Sequence, residues 1–138
     1  MNAIETIQDQ VISEFELFDE WDEKYGYIIE IGKKLTPMPD QYKVQENIIR
    51  GCQSTVWLAS EYKNGLVTYY AESDAIIVKG LVSLLIKVYS NQEPKDIIST
   101  EPYFIESIGM KQHLSMTRSN GLSAMVKQMK IEALAYMN

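Results

Sequence analysis

The sequence is poor in the residues that bind metals and close disulfides: it has one cysteine, Cys52, and one histidine, His113, in 138 residues. A lone cysteine cannot form an internal disulfide, which excludes a secreted disulfide scaffold. One cysteine and one histidine also fall short of the roughly four sulfur and nitrogen ligands of a protein-only zinc or iron–sulfur site. No apolar run approaches the ~20 residues of a membrane span. The start, Asn2-Ala3-Ile4-Glu5, is acidic where a secretory leader would be basic and apolar. The expectation is a soluble, cytoplasmic chain with no membrane partner. Positive charge is scarce too, with 13 Lys and Arg against 19 Asp and Glu. That argues against a nucleic-acid partner, whose phosphates demand a basic face. There are no internal repeats and no low-complexity tracts.

What is present suits one folded domain spanning residues 1–138, since 46% of the residues are apolar and 10% aromatic. The charge is uneven. Eight of the nineteen acids precede Lys24, whereas Lys111, Arg118, Lys127 and Lys130 lie toward the other end. Such asymmetry marks either a solvated helix face or a surface for a basic-faced protein.

Residues 2–18 carry Ile4, Ile7, Val11, Ile12, Phe15 and Phe18 at helical spacing. Asp19 is placed to cap a second helix, with Asp22 and Glu23 in its first turn and Trp21, Tyr25, Ile28, Ile29 and Leu35 inward. Pro37 and Pro39 end it. Residues 36–50 read as a loop or ragged edge strand. Residues 54–62 and 66–72 read as a hairpin about Asn64-Gly65, two residues that tolerate the positive φ of a tight turn. Pairing about that turn puts Val56, Leu58, Tyr62, Val67, Tyr69 and Ala71 on one face. A third strand before Cys52 would make the sheet more viable. Ser73-Asp74 then reads as the cap of a very apolar helix from Ala75 to Tyr89, with Gly80 marking close packing. Short helices follow at Pro94 and Pro102, then a loop through Arg118. The last helix, from about Asn120, buries Leu122, Met125, Val126, Met129 and Ala133. The fold class expected is α+β, a small antiparallel sheet of about three strands packed on several helices.

The candidate site is Gly51-Cys52-Gln53-Ser54. Gly51 permits unusual backbone angles and close approach by another molecule. Gln53 and Ser54 make the turn polar, and an apolar strand follows at once. Cys52 is either buried filler, as free cysteines often are, or a presented nucleophile whose thiolate needs cations or backbone N–H groups nearby. His113 is a candidate base for a Cys/His dyad acting on a small substrate, or a structural histidine. Arg118, read as lying just before the last helix, opposes the helix dipole, so it is expected to hold a carboxylate such as Asp74 or to present charge to a partner. Asp74 is first a helix cap and second a recognition residue.

Gly51-Cys52-Gln53-Ser54-Thr55-Val56-Trp57 resembles the GCxSxVW signature of the SufE family, sulfur acceptors that partner cysteine desulfurases. Three further blocks resemble that family in the same order. They are Trp21 to Gly32 (WDEKYGYIIEIG), Ser73-Asp74-Ala75 with Ile77-Val78-Lys79-Gly80-Leu81, and Gln112-His113-Leu114 with Arg118 to Leu122. The resemblance implies a fold similar to iron–sulfur scaffold proteins, with one cysteine to carry sulfur and no set to hold a cluster. It implies that Cys52 accepts sulfane sulfur as a persulfide from a SufS-like cysteine desulfurase, stimulates that enzyme, and passes the sulfur to a SufB-containing iron–sulfur scaffold. Pyridoxal phosphate would belong to the desulfurase, with no cofactor bound here, so the chain would be an accessory sulfur-transfer protein and not an independent enzyme. A carrier for a different acceptor pathway is the alternative within the family. Gly51, Gln53, Ser54, Asp74, His113 and Arg118 fall in matching motifs and are expected to support the thiol or dock the partner.

Overall fold

The first helix, α1 (Ala3–Phe15), starts where Asn2 accepts from the Glu5 N–H at 2.9 Å and Glu5 accepts from the Asn2 N–H at 3.0 Å. This reciprocal pair satisfies two of the free donors at the helix start. The computed structural model to which α1 belongs describes residues 2–52 and 54–137, so Gln53, one of the expected supporting residues, lies outside the described residues. Ile4, Val11 and Phe15 are buried, and so is Gln8. The Gln8 amide is satisfied at both ends, donating to the Glu101 carbonyl at 3.0 Å and accepting from the Phe104 N–H at 3.1 Å. A buried polar side chain thus ties α1 to a distant loop, which is the condition for burying it without penalty.

The second helix, α2 (Trp21–Lys33), is capped by Glu20 and not by Asp19, one residue later than the sequence suggests. It packs on α3 (Ile76–Tyr89) so closely that side chains are excluded. A Cβ on Gly80 would lie 2.2 Å from the Ile28 carbonyl oxygen, and one on Gly32 would lie 2.9 Å from the Gly80 nitrogen. The two backbones are in contact. On α3, Leu81, Val82, Leu84, Leu85, Val88 and Tyr89 are buried. Burying each large apolar side chain contributes roughly 1.5–3 kcal/mol. Ser83, also buried, donates to the Lys79 carbonyl at 2.8 Å, and the Tyr89 hydroxyl donates to the Thr100 carbonyl at 2.8 Å.

The hairpin β1 (Val56–Lys63) and β2 (Leu66–Ser73) pairs Lys63 with Leu66 across Asn64 and Gly65, whose φ angles are 55° and 80°. Val56, Leu58, Val67, Tyr69 and Ala71 face the core as the alternation requires. Tyr62, at the tip of that face, is 46% exposed. Among the described residues the sheet has two strands and not about three. The segment before Cys52 instead winds into two 3₁₀ turns, Asp40–Tyr42 and Gln45–Asn47, leaving only Ile48 to bridge Trp57. On the other edge, Gln92 bridges Val67. Single bridges therefore flank both strands.

The short helices α4 (Pro94–Ser99), α5 (Phe104–Ser107) and α6 (Met110–His113) lead into α7 (Met116–Ala135). α7 begins four residues before the expected Asn120. Ser115 is its cap, accepting from the Arg118 N–H at 3.2 Å. Arg118 accordingly sits inside the first turn and not ahead of the helix. Leu122, Met125, Val126, Met129 and Ala133 form the buried stripe. The C-terminal half of α7 is pinned to the sheet: Tyr69 donates to the Met129 carbonyl at 2.6 Å, and Ser60 to Glu132 at 2.6 Å. Its N-terminal half lies over the turn that carries Cys52.

Candidate functional site

The thiol turn is held at both ends. Before it, the Ile49 N–H donates to the Val56 carbonyl at 2.8 Å. After it, the Thr55 N–H donates to the Asp74 carboxylate at 3.2 Å, and the Asp74 N–H donates to the Thr55 carbonyl at 3.4 Å. These contacts extend the hairpin register by one pair past Val56–Ser73. Asp74 therefore does not cap α3, whose capping position is Ala75 with no side-chain hydrogen bond. It clips the strand end from which the turn departs. Between the two clips the chain reverses at Gly51, whose φ of 94° favours a residue without a Cβ.

Cys52 is half-buried, with its Sγ 3.7 Å from the Gly121 carbonyl oxygen. The thiol lies against α7 where that helix has no side chain, since a Cβ on Gly121 would stand 3.2 Å from Sγ. It opens on a cavity of about 320 Å³ between β1, α3 and α7. Val56, Val78, Leu81, Val82, Leu122 and Met125 make the walls apolar. Ser54, Ser115 and Arg118 supply the polar part, and the Arg118 side chain is exposed. Burial pushes the Cys52 thiol pKa up. At neutral pH the resting side chain is a protonated thiol, and a weak nucleophile until its surroundings change.

Of the expected supporting residues, Gly51, Ser54 and Arg118 gather at this cavity or its turn, and Asp74 lies at the turn's far clip. Among the described residues, no ion pair joins Arg118 to Asp74. His113 is elsewhere. Its ring stacks on Trp21 with centroids 4.0 Å apart, and the Tyr25 hydroxyl donates to its carbonyl at 2.7 Å. The helix that opens with Trp21 thus grips the segment just ahead of α7.

Several wall residues escape a reading of the sequence. Val78, Leu81, Val82 and Met125 look like core positions; Leu81, Val82 and Met125 are buried and Val78 is half-buried against the core, and the cavity lies where these faces do not quite meet. Ser115 is hidden in a stretch that reads as loop. Gly121 did leave a signal, since a glycine inside a helix costs ~1 kcal/mol of propensity and asks for a packing reason.

Among the described residues, no group of three or more His, Cys, Asp or Glu could hold a metal ion, and no helix is long and apolar enough to cross a membrane. The family model "SufE: Fe-S metabolism associated domain" matches residues 9–133. An uncharacterised SufE-like protein of Rhizobium meliloti is 39% identical over 133 residues, covering 93% of this chain and 95% of its own. Another from Rhizobium etli is 38% identical over 130 residues, covering 91% and 88%. The solution structure of a hypothetical protein from Thermus thermophilus superposes with a TM-score of 0.80 at 19% identity, over 95% of this chain and 96% of that one. That last similarity speaks to the fold alone.

Proposed function

The chain belongs to the SufE family, and from that premise we propose that it is a cytoplasmic sulfur carrier serving iron–sulfur cluster assembly, with Cys52 as the carrying atom. The observation that supports the reading is the seat of Cys52: the only cysteine of the sequence, on a glycine turn, at the mouth of an apolar cavity.

The proposed donor is the persulfide of a pyridoxal-phosphate cysteine desulfurase. The Cys52 thiol gives up its proton and its sulfur attacks the terminal sulfur of the donor persulfide. The donor's S–S bond breaks, a new S–S bond forms at Cys52, and the departing donor sulfur takes up the proton. One persulfide and one thiol become one thiol and one persulfide, so no oxidant or reductant is consumed. Removing this product stimulates the desulfurase. The acceptor is an iron–sulfur scaffold complex, reached by the same exchange in the other direction. Having no second cysteine, the chain has no internal thiol to expel the sulfur.

This division of labour leaves the pyridoxal phosphate on the desulfurase. Gly51, Ser54, Asp74 and Arg118 shape or border the thiol turn, and Arg118 offers an exposed cation to a partner or to the anionic sulfur. A Cys52–His113 enzyme finds no support: among the described residues His113 does not line the Cys52 cavity, no hydrogen bond joins the two, and its ring stacks on Trp21.

Isotopically labelled cysteine supplies the test. With desulfurase, this chain and scaffold together, label passes through this chain to the scaffold, and it does so faster than with the chain left out. Label that reaches the scaffold at the same rate without this chain, or never resides on it, overturns the reading.

A further inference from the structure

The contact between Cys52 and α7 goes deeper than neighbourhood. Sγ approaches the Gly121 carbonyl at 3.7 Å, and the place a Gly121 Cβ would occupy is 3.2 Å from Sγ and 3.8 Å from both Cβ and Cα of Cys52. Gly51, next along the turn, meets α7 one helical turn later, with a would-be Cβ 3.7 Å from the Ala124 methyl. Positions 121 and 124 share a helix face. The turn therefore leans on a strip of α7 made flat by two small residues, and Gly121 is buried beneath it.

From this geometry we infer that Gly121 is a positioning residue. The hydrogen at its α-carbon, where any other residue has a side chain, is what allows the thiol to withdraw into its seat. A methyl group there displaces Cys52, because the atom opposite is the tip of a short side chain and not backbone. The turn has α7 on one side and, at exposed Gly51, solvent on the other, and Sγ borders the cavity, so there is room for the thiol to leave its seat. Gly121 sets how sheltered the thiol is at rest. If Cys52 carries sulfane sulfur as proposed above, Gly121 also sets how long that sulfur survives among small thiols. Each such loss is an exchange in which the small thiol takes the outer sulfur as its own persulfide and leaves Cys52 as the thiol.

Two substitutions and two readouts separate these claims. In the first readout, native Gly121→Ala is alkylated at Cys52 with iodoacetamide. The expected result is a severalfold faster reaction than wild type, with its pH inflection moved down as desolvation is relieved. The melting temperature holds or rises, because alanine is the better helix former. In a Cys52→Ala background the same Gly121→Ala change stabilises more than it does with the thiol present, since the clash is gone. An unchanged alkylation rate, a collapse of folding, or equal effects in both backgrounds would each overturn the seat. The second readout loads the persulfide with a desulfurase and cysteine, then times its loss to a small thiol, which is faster in Gly121→Ala. Failure of wild type to load at all counts against the carrier reading and leaves the alkylation result to judge Gly121. Equal lifetimes, with loading intact, overturn the protective role.

Discussion

Gly80 and Gly121 are both helix-interior glycines in close contact, and they differ in what stands opposite. A Cβ on Gly80 would meet backbone, the Ile28 carbonyl oxygen at 2.2 Å. A Cβ on Gly121 would meet the tip of one side chain, Cys52 Sγ, at 3.2 Å. The first contact locks two helices together and has no slack. The second has a cavity beside it and a turn outside it, so it can yield. A thiol sheltered at rest and delivered to a partner, as proposed for Cys52, needs a contact of the second kind.

The largest effect expected is at the rigid crossing. Gly80→Ala should cost about 3 kcal/mol, the upper part of the usual range for overpacking. It should appear as a lower urea midpoint at unchanged slope. A variant as stable as wild type would mean that α2 and α3 can separate freely, and the contrast between the two glycines would vanish.

At the yielding contact the effects are smaller and local. Ser115→Ala removes the cap of α7 and should cost about 1 kcal/mol. Ser115 and Arg118, at the start of α7, line the cavity on which the thiol opens, so this variant should also be alkylated faster at Cys52. Stability lost with no change in alkylation would detach the helix start from the site. Asp74→Ala deletes the side-chain clip on the Thr55 N–H and should cost about 0.5 kcal/mol, since the group is exposed and water replaces it. Hydrogen exchange at the Thr55 amide should rise in that variant, while the amides of α3 hold.

The smallest shift is in titration. Burial raises the Cys52 thiol pKa. The native chain should hold its proton to higher pH than the urea-unfolded chain, so native alkylation should inflect at the higher pH. A native inflection below that of the unfolded chain would mean that a neighbour stabilises the thiolate and that burial does not dominate.

How far the sequence carried the account follows from the range of the interactions involved. Asn64-Gly65 announced the hairpin because turn chemistry is local. The α7 stripe from Leu122 to Ala133 announced itself because a helix repeats. Gly80 was readable as a packing glycine, and the same reasoning applied to Gly121 would have pointed at the thiol seat. Other features were settled by partners far along the chain. Asp74 looked like a cap from its neighbours, but the Thr55 amide, nineteen residues away, claims its carboxylate. Ser115 through Ser119 read as loop, since that stretch has no acidic residue to mark a first turn, yet Ser115 caps it. The missing third strand reflects two 3₁₀ turns whose geometry spends the residues that would have paired. The cavity could not be seen at all, because it is a gap between three faces that each read as core.

The carrier claim itself comes down to the mass of the intact chain after incubation with a cysteine desulfurase and free cysteine. Wild type should gain the mass of sulfur in a form that a reducing thiol removes, and Cys52→Ser, folded to within about 1 kcal/mol of wild type, should gain none. An equal gain in the serine variant, or no gain in wild type while the desulfurase turns over, would contradict the account.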